Sequence, residues 1–406
     1  MTYLHPQMAA ILGATYGVML YQEDVMKIAV TLAGYTPADA DGLRRAVSKT
    51  RDPLVLEREH DRFVLERAAD AGITRDDANA IWQLVRQFAA YSYCKAHAAV
   101  YGRLAWLTAR LKAHYPCEFY TAVLNSHKSM YPLRVFAWDA IRHGIPILPP
   151  DVQYSEEKWV PVGSGIRCGL GLVRGLRETT LQQLLAERRR EPFRGFAAFR
   201  RRVSFQAGEL ERLVLAGACR AFGSREKLLA ELIASGRHEG QLSLLTPVLK
   251  EVPPLLESEL WLTGIPFCAH PVERENSGTC MAAELGRFVG REVEMVGILD
   301  TWKPLRAHSQ KRTTERDMAF VTLEDASGLF ELVLFADVFT RLRRLFSRIG
   351  PYRVRGRVVQ KWGAVMIEVD DAEYQHTETG MPDAAPGEKP DKTTTDYTDG
   401  TSVLSV

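Results

Sequence analysis

Two short groups of cationic residues have types and spacings suited to phosphate binding. The first lies in the segment ADADGLRRAVSK, where Arg45 and Lys49 are four residues apart and Arg44 is adjacent. In a helix that spacing puts Arg45 and Lys49 on one face, and their charged groups form strong hydrogen bonds with phosphate oxygens. The same spacing also suits an exposed Asp41–Arg45 ion pair, and spacing alone favours that simpler interpretation.

The second cationic group lies at the start of an alanine-rich helical pattern. The segment YSYCKAHAAVYGRLAWL places Lys95 and His97 in its first turn. A helix N-terminus carries unpaired N–H groups and the positive end of the helix dipole, so an anion is favoured there. The pattern therefore predicts a phosphate site, while local capping or packing is an equally good interpretation of His97 considered alone.

Arginine is concentrated in the middle of the chain. Residues 167–203 contain ten arginines and three glutamates, a local charge of +7. The whole chain carries only +2, because residues 370–406 contain nine acids and two lysines; that tail is −7 and the remaining 369 residues sum to +9. Guanidinium groups suit bidentate phosphate contacts, so the cluster favours a polyanion as partner. Any one of these arginines could equally lie on a solvated helix face.

Length and composition limit the class of protein. The 406 residues, 46% hydrophobic and 25% charged, suit roughly two to four globular domains. The sequence has no apolar run of about 18 residues and no signal-peptide pattern, which predicts a cytoplasmic protein. Its six cysteines form no CxxC pair, so reduced packing thiols are expected rather than a zinc site or disulfides.

Helical periodicity dominates the first part of the chain. The predicted helices cover residues 17–33, 75–90 and 96–114. The first helix ends at Gly34, and the next begins at Thr36 and Pro37, which suit a helix start. The last helix stops before Tyr115-Pro116. A stretch rich in Pro, Gly and Ser at residues 146–164 indicates a domain boundary near residue 150, after which helices resume over residues 166–235.

The C-terminal part has the alternation of short strands. The predicted strands cover residues 291–298, 318–325, 329–335, 352–359 and 363–369. With a helical stretch at residues 337–348 between the third and fourth strands, the pattern indicates an OB-fold barrel. Aromatic and cationic side chains on such a barrel bind single-stranded nucleic acid, and the candidates are Trp302, Lys303, Lys361 and Trp362. Phe320 alternates with core positions and is expected to be packed.

Taken together, the two cationic segments resemble the fingers domain of the bacterial DNA polymerase III alpha subunit, a member of the C-family DNA polymerases. The sequence is more similar to the error-prone branch of that family than to the replicative branch. The resemblance covers roughly residues 10–370. It implies that the fingers bind the triphosphate of the incoming deoxynucleoside triphosphate, and the matching positions are Arg44, Arg45, Lys49, Lys95 and His97. Such cations stabilise the pyrophosphate leaving group in phosphoryl transfer.

Residues 166–222 resemble the tandem helix-hairpin-helix region of the same family, which binds duplex DNA through phosphates without reading bases. The implied duplex contacts are Gly169, Gly171, Arg174, Gly175, Arg177, Arg188, Arg189 and Arg190. Without the arginine cluster, an ordinary glycine-terminated helical hairpin would be the preferred interpretation. The segment EGQLSLL resembles the peptide by which polymerases dock on a sliding clamp. Its residues are Gln241, Leu242, Ser243, Leu244 and Leu245; a loop packed on the chain's own surface is the alternative.

The family's palm domain, whose aspartates hold magnesium with the deoxynucleoside triphosphate, has no counterpart in the sequence, and Asp39 and Asp41 belong to the fingers motif. The expected function is therefore that of the C-terminal portion of an error-prone-type polymerase completed by a separate palm-bearing chain. The alternative is a DNA- and clamp-binding module without catalysis. The expected fold is multidomain α+β: fingers 1–150, helix-hairpin-helix 151–235, clamp peptide and linker 236–285, OB-fold 286–370 and disordered tail 371–406.

Overall fold

The structure, a computed structural model, describes residues 3–49, 52–89, 93–234, 253–272, 280–307, 316–361 and 363–375. The chain forms two compact units, Met1–Leu111 and Lys112–Val406. The described residues confirm the expected combination of an all-α N-terminal part, a helical middle part and a closed five-stranded barrel. None of the helices in these ranges is long and apolar enough to cross a membrane.

The first unit is helical throughout. Its helices are α1 (Met8–Leu12), α2 (Gln22–Ala33), α3 (Pro37–Lys49), α4 (Pro53–Asp61), α5 (Ala68–Asp70), α6 (Arg75–Ala89) and α7 (Lys95–His114), the last of which continues into the second unit. A π-helical segment, Arg62–Arg67, joins α4 to α5. Apolar side chains of α2, α3, α6 and this segment form one core, which includes Ile28, Leu43, Phe63 and Ile81.

The ends of α2 show which local signals decide helix limits. Gly34 ends the helix in the left-handed conformation, at φ +61°, as the glycine predicted. The start differs from the prediction, because α2 begins at Gln22 rather than near residue 17. The Asp24 carboxylate accepts the Tyr21 N–H at 3.0 Å and so caps the helix there.

The helical layer at the start of the second unit crosses the boundary predicted near residue 150. It consists of α8 (Pro116–Ser126), α9 (Leu133–Arg142) and a three-stranded sheet of β1 (Ile147–Leu148), β2 (Val160–Val162) and β3 (Gly165–Arg167) in the order β1-β3-β2. Tyr120 and Ala137 pack in one core with Ile147 and Ile166. The change in composition at this point therefore marks a change from long helices to short strands inside one packed layer.

A second group of helices follows this sheet. It comprises α10 (Glu178–Arg190), α11 (Phe196–Arg202), α12 (Glu209–Leu215), α13 (Arg225–Ala234) and α14 (Leu255–Thr263). Leu184, Phe199, Leu213 and Leu228 are buried in their common core. Two short turns with positive φ border these helices, at Gly175 before α10 and at Gly217 after α12.

The barrel is built from five strands. They are β4 (Glu292–Ala307), β5 (Arg316–Asp325), β6 (Gly328–Leu334), β7 (Tyr352–Lys361) and β8 (Ala364–Tyr374), with α15 (Ala336–Leu342) between β6 and β7. The strand order is β4-β5-β6-β8-β7, and β6 pairs with β8 in parallel. This is the topology expected of an OB-fold.

Two strands are longer than the sequence pattern predicted. β4 extends to Ala307 because its first half pairs with β7 and its second half with β5, across a bulge between Leu299 and Thr301. β8 extends to Tyr374, inside the tail predicted as disordered, because its last residues pair with the start of β7. The rest of that tail, from residue 376, lies outside the described residues.

Buried ion pairs attach the barrel to α9. The Arg134 guanidinium donates to the Asp300 carboxylate at 2.5 Å and to the Leu299 carbonyl at 2.6 Å. About two turns further along α9, Arg142 donates to Glu324 of β5 at 2.9 Å. The side chains of Asp300 and Glu324 are completely buried. The barrel therefore has a defined orientation on the helical layer of its unit.

Candidate nucleic-acid interface

A backbone contact in the first unit joins the start of α2 to the residues that precede α7. Gln22 N donates to Tyr93 O at 2.8 Å, and Tyr93 N donates to Leu20 O at 3.1 Å. Tyr21 and Tyr93 thereby form an isolated parallel bridge. This bridge brings the two predicted cationic groups toward the same short segment, Tyr21 to Glu23.

The α3 cations occupy different environments. Arg44 is only 19% exposed, pairs with Asp41 at 2.7 Å and donates to the Gln22 amide oxygen at 3.1 Å. Arg45 is 66% exposed and pairs with Asp41 at 2.6 Å, so the simple ion pair of the alternative interpretation is present. Hydrogen bonds from both arginines hold the pKa of Asp41 below its ordinary value. Lys49 ends α3, and its side chain lies outside the described residues.

The carboxylate of Glu23, a residue of α2, caps the start of α7. Its carboxylate oxygens accept the Lys95 backbone N–H at 2.9 and 3.1 Å. Burial opposes the charged form, but hydrogen bonds, led by the one from Lys95 N, hold the pKa of Glu23 below its ordinary value. The Lys95 ammonium lies 5.3 Å from the Tyr21 ring centroid, and His97 packs on Tyr101 of its own helix at 4.4 Å.

Sequence reasoning therefore located the cations but overlooked the residues between them. The structure brings Arg44 and Lys95 to the start of α2, where Gln22 contacts the first and Glu23 the second. One donor of the predicted anion site at the α7 N-terminus is used by the chain's own carboxylate. The acidic pair in YQED, directly before an apolar helical pattern, was the available signal for this cap.

In the second unit, the first hairpin turn precedes α10. Gly175 has φ +77°, and a β-carbon there would lie 2.4 Å from a guanidinium nitrogen of Arg212, which itself donates to the Gly175 carbonyl at 3.3 Å. Arg174 and Arg177, on either side of the turn, are exposed. The predicted close turn is present, with two cations at the N-terminal end of α10.

A buried carboxylate connects this turn to the next helical hairpin. Glu209, only 2% exposed, accepts hydrogen bonds from Arg177 N at 2.9 Å, Thr180 Oγ1 at 2.9 Å and Gln206 N at 2.8 Å. Burial would raise the pKa of Glu209, but these hydrogen bonds outweigh it and hold the pKa below its ordinary value. Glu209 was not identified from the sequence, because its donors are 29 to 32 residues away or in a turn.

Gly169 is buried inside the fold, which corrects its assignment as a DNA contact, whereas Gly171 is exposed and its assignment stays a prediction. A β-carbon at Gly169 would lie 2.3 Å from the Glu157 carbonyl oxygen. Gly171 N already donates to that oxygen at 3.0 Å. Both glycines are needed because two backbone segments of the chain approach each other closely there.

The three arginines at the end of α10 also separate. Arg188 is 9% exposed, pairs with Glu156 at 2.7 Å and donates to the Ser155 carbonyl at 2.5 Å. It is therefore a packing residue, which corrects its assignment to DNA binding. Arg189 and Arg190 are 69% and 78% exposed. They lie about 18 Å from the start of the helix. The exposed cations therefore form two separate groups, one before the start of α10 and one at its end.

The barrel changes the set of single-strand candidates. Lys303 is exposed, whereas Trp302 is half-buried and stacks on Phe339 of α15, with ring centroids 6.0 Å apart. Lys361 pairs with Glu368 at 2.8 Å. Phe320, expected to be packed, is half-buried, while its neighbours Ala319 and Val321 supply the fully buried positions of β5.

Two predictions fall wholly or partly outside the described residues. Trp362 and the clamp peptide, Gln241 to Leu245, are not among them. Within the ranges that are described, no group of three His, Cys, Asp or Glu side chains could hold a metal ion.

Exposed cations on helix ends, tandem helical hairpins and a closed OB barrel together define a nucleic-acid-binding class of protein. Two family models match: the bacterial DNA polymerase III alpha subunit finger domain over residues 1–71, and the helix-hairpin-helix motif over residues 144–229. The chain belongs to the bacterial C-family DNA polymerases, the family of the DNA polymerase III alpha subunit, and corresponds to their C-terminal part with fingers, helix-hairpin-helix and OB-fold.

Relatives carry names from both branches of that family. The error-prone DNA polymerase of Symbiobacterium thermophilum is 31% identical over 91% of this chain and 40% of its own length. The DNA polymerase III subunit alpha of Thermus aquaticus is 35% identical over 83% of this chain and 29% of its own length. The chain thus spans less than half the length of these relatives.

Among solved structures, the asparaginyl-tRNA synthetase of Pyrococcus horikoshii complexed with asparaginyl-adenylate matches 26% of this chain and 24% of that chain at 18% identity, with a TM-score of 0.19. A similarity of that size supports no inference about fold or function.

Proposed function

We propose that this chain supplies the nucleotide-, DNA- and clamp-binding portion of an error-prone-type C-family DNA polymerase, acting in template-directed synthesis during replication or damage tolerance. The observation that carries the proposal is the approach of Arg44 and Lys95, from two helices, to one segment at the start of α2. Magnesium bound with the deoxynucleoside triphosphate would be held by the palm aspartates of such a polymerase, where it neutralises phosphate charge.

The nucleotide site is supported by charge and position. Arg44 on α3 donates to Gln22 at 3.1 Å, and the Lys95 ammonium on α7 lies 5.3 Å from the Tyr21 ring centroid, so cations from two helices approach the start of α2. Arg45 and His97 are further candidates beside them on the same two helices. A triphosphate has several oxygens to be neutralised, and phosphoryl transfer depends mainly on such positioning and charge stabilisation. Arg44 and Asp41 already form a pair, so phosphate would compete with a carboxylate for that guanidinium.

Replacing Lys95 or Arg44 by glutamine is expected to weaken binding of a deoxynucleoside triphosphate by about tenfold or more, because each removes a charged hydrogen-bond donor. Equilibrium dialysis of the full chain against dATP measures the effect. Arg58→Gln, at an exposed arginine of α4 in the same unit, is the control and should bind as the wild type does. Wild-type affinity in both site variants would place nucleotide binding elsewhere.

The duplex site is supported by the exposed arginines of α10. We expect Arg189→Glu with Arg190→Glu to weaken binding to duplex DNA and to reduce the slope of log affinity against log salt by about two, because about two fewer phosphates release counterions. Arg287→Glu is a matched control: Arg287 is also 78% exposed and pairs with a glutamate three residues away, at 3.0 Å. An unchanged slope in the α10 variant would exclude these residues from the interface.

Clamp docking rests on the sequence of residues 241–245. Gln241→Ala with Leu244→Ala is expected to reduce affinity for the sliding clamp at least about thirtyfold, because a few buried anchors carry most of the energy of such peptides. Surface plasmon resonance on immobilised clamp gives the measurement. Duplex affinity, recorded on the same preparation, should stay unchanged. Clamp binding at wild-type strength would show that the segment is not the docking peptide.

The apolar surface of α7 supports a further polymerase portion as partner. None of its side chains is buried, and four exposed apolar residues follow one helix face, namely Val100, Leu104, Leu107 and Leu111. Their 4-3-4 spacing forms the apolar seam of a helix that packs against another element. A palm-bearing portion of the polymerase would cover this seam.

The alternative proposal is a DNA- and clamp-binding module without catalysis, which the same helix-hairpin-helix and OB-fold elements support. Primer extension separates the two functions. Primer extension when these residues are combined with a palm-bearing polymerase portion, and loss of extension when Leu104 is replaced by aspartate, is the result expected of a polymerase portion. Duplex and clamp binding without extension in any mixture is the result expected of the module.

A further inference from the structure

One face of the barrel carries aromatic and cationic side chains in register. On β5, Ala319, Val321 and Leu323 point into the core and are fully buried, so Phe320 points outward. Phe320 is paired with Lys303 of β4 on one side and with Val333 of β6 on the other. The outward row thus joins an exposed lysine to a partly exposed phenylalanine on neighbouring strands.

Phe335 extends this row at the end of β6. It follows the strand by one residue, two positions beyond Val333, and its side chain is 45% exposed. In a regular sheet, Phe320 and Phe335 would be diagonal neighbours about 7–8 Å apart. The Lys361 ammonium lies 5.6 Å from the Phe335 ring centroid and also pairs with the Glu368 carboxylate at 2.8 Å.

The other half of the same face is covered. Glu324 lies four residues after Phe320 on the same face of β5 and is buried by Arg142 of α9. Thr322, between them, is 5% exposed and donates to Glu331 at 2.9 Å. Since α9 closes this end, the surface open to a ligand lies at Phe320, Phe335 and the two lysines.

We propose that Phe335 is the principal base-stacking residue of the barrel, with Phe320 as a second platform and Lys303 and Lys361 as phosphate contacts for single-stranded DNA. An exposed ring stacks on any base, and an adjacent cation can bind the backbone phosphate without sequence preference. The inference rests on the DNA binding proposed above, taken for the barrel as the single-strand binding that the OB-fold pattern predicts, and it names the residues that perform it.

Trp302 is a weaker stacking candidate than Phe335 for a geometric reason. One face of its indole is already covered by the Phe339 ring at an interplanar angle of 16°, and the side chain packs against the barrel core. A base would have to displace α15 to stack there. Phe335 is 45% exposed at the edge of the barrel, and the group over its ring is the flexible Lys361 side chain, so stacking there needs no movement of a helix.

Fluorescence anisotropy of labelled dT15 with the full chain tests the assignment. Phe335→Ala is expected to weaken binding of dT15 about fivefold or more, with an unchanged slope of log affinity against log salt. Phe335→Tyr is expected to bind dT15 as the wild type does, because only the alanine variant loses the stacking ring. Lys361→Gln is expected to lower the salt slope by about 0.7, the value for one phosphate of a single strand. Leu329→Ala, a 40% exposed apolar residue on the same strand, is the matched control.

Two results would overturn the assignment in different ways. Wild-type affinity in Phe335→Ala, with dT15 still bound, would contradict the role of Phe335 and leave the proposed single-strand function intact. No binding of dT15 by the wild-type chain would contradict both. Duplex affinity is measured in parallel, since a fall there in Phe335→Ala would indicate a damaged fold and also count against a stacking role.

Discussion

Replacing Arg134 by methionine is expected to lower the free energy of unfolding of the region around α9 and the barrel by about 3–5 kcal/mol. The Arg134 guanidinium and the Asp300 carboxylate are 5% and 0% exposed and lie 2.5 Å apart. Methionine fills most of the volume of the arginine stem but leaves Asp300 buried without its cation, close to the equally buried Glu324. A buried unpaired charge is far more costly than a lost surface ion pair.

Native-state hydrogen exchange measures this effect locally. The amides of α9 and β5 report opening of the contact between the barrel and the helical layer, whereas a global denaturation curve would mix the transitions of several domains. Arg287→Met, which removes the cation of an exposed ion pair with a 3.0 Å contact, should change exchange by less than about 1 kcal/mol.

The double variant Arg134→Met with Asp300→Leu sharpens the test. Removing both charges relieves the desolvation penalty, so this variant should be much more stable than Arg134→Met alone. If the single variant lost less than about 1 kcal/mol, or if the double variant lost as much as the single one, the ion pair would not be what holds the barrel on α9.

Replacing Glu209 by alanine is expected to destabilise the tandem hairpins by on the order of 3 kcal/mol, because buried backbone donors at Arg177 and Gln206 lose their acceptor. The turn before α10 and the turn before α12 would then separate more easily, and duplex affinity should fall with stability. Exchange of the amides at residues 176–182 and 205–210 gives the measurement. Glu178→Ala, at an exposed glutamate of α10 that accepts a hydrogen bond from Gln182, is the matched control and should have little effect.

The same carboxylate makes a prediction about pH. The pKa of Glu209 is lower in the folded chain than its ordinary value of 4.5, so the unfolded chain takes up a proton first as the pH falls. Stability from Glu209 is therefore complete above pH 4.5 and is lost as the pH falls through the lowered pKa. Glu209→Gln should reduce this acid loss relative to the wild type; an identical acid profile would show that the carboxylate is not ionised in the fold.

Much of the architecture could be predicted from local signals. The end of α2 at Gly34, the long helix after Cys94, and the strands of the barrel follow from glycine, proline and apolar periodicity, which act over a few residues. The cationic segments were likewise visible, because charge and spacing are properties of the sequence itself. Those signals identified Arg45, Lys95 and Arg190 as exposed cations.

The tertiary structure decided which of the candidates are accessible. Arg188 and Arg190 are two residues apart in the same arginine run, yet one is buried against Glu156 and the other is 78% exposed. Gly169 looked like a phosphate contact and is a point of close backbone approach. Phe320 and Phe335 point outward, because the barrel register assigns the alternate residues to the core. Such outcomes depend on residues far away in the chain, and local periodicity contains no information about which distant carbonyl, carboxylate or strand will pack against a given side chain.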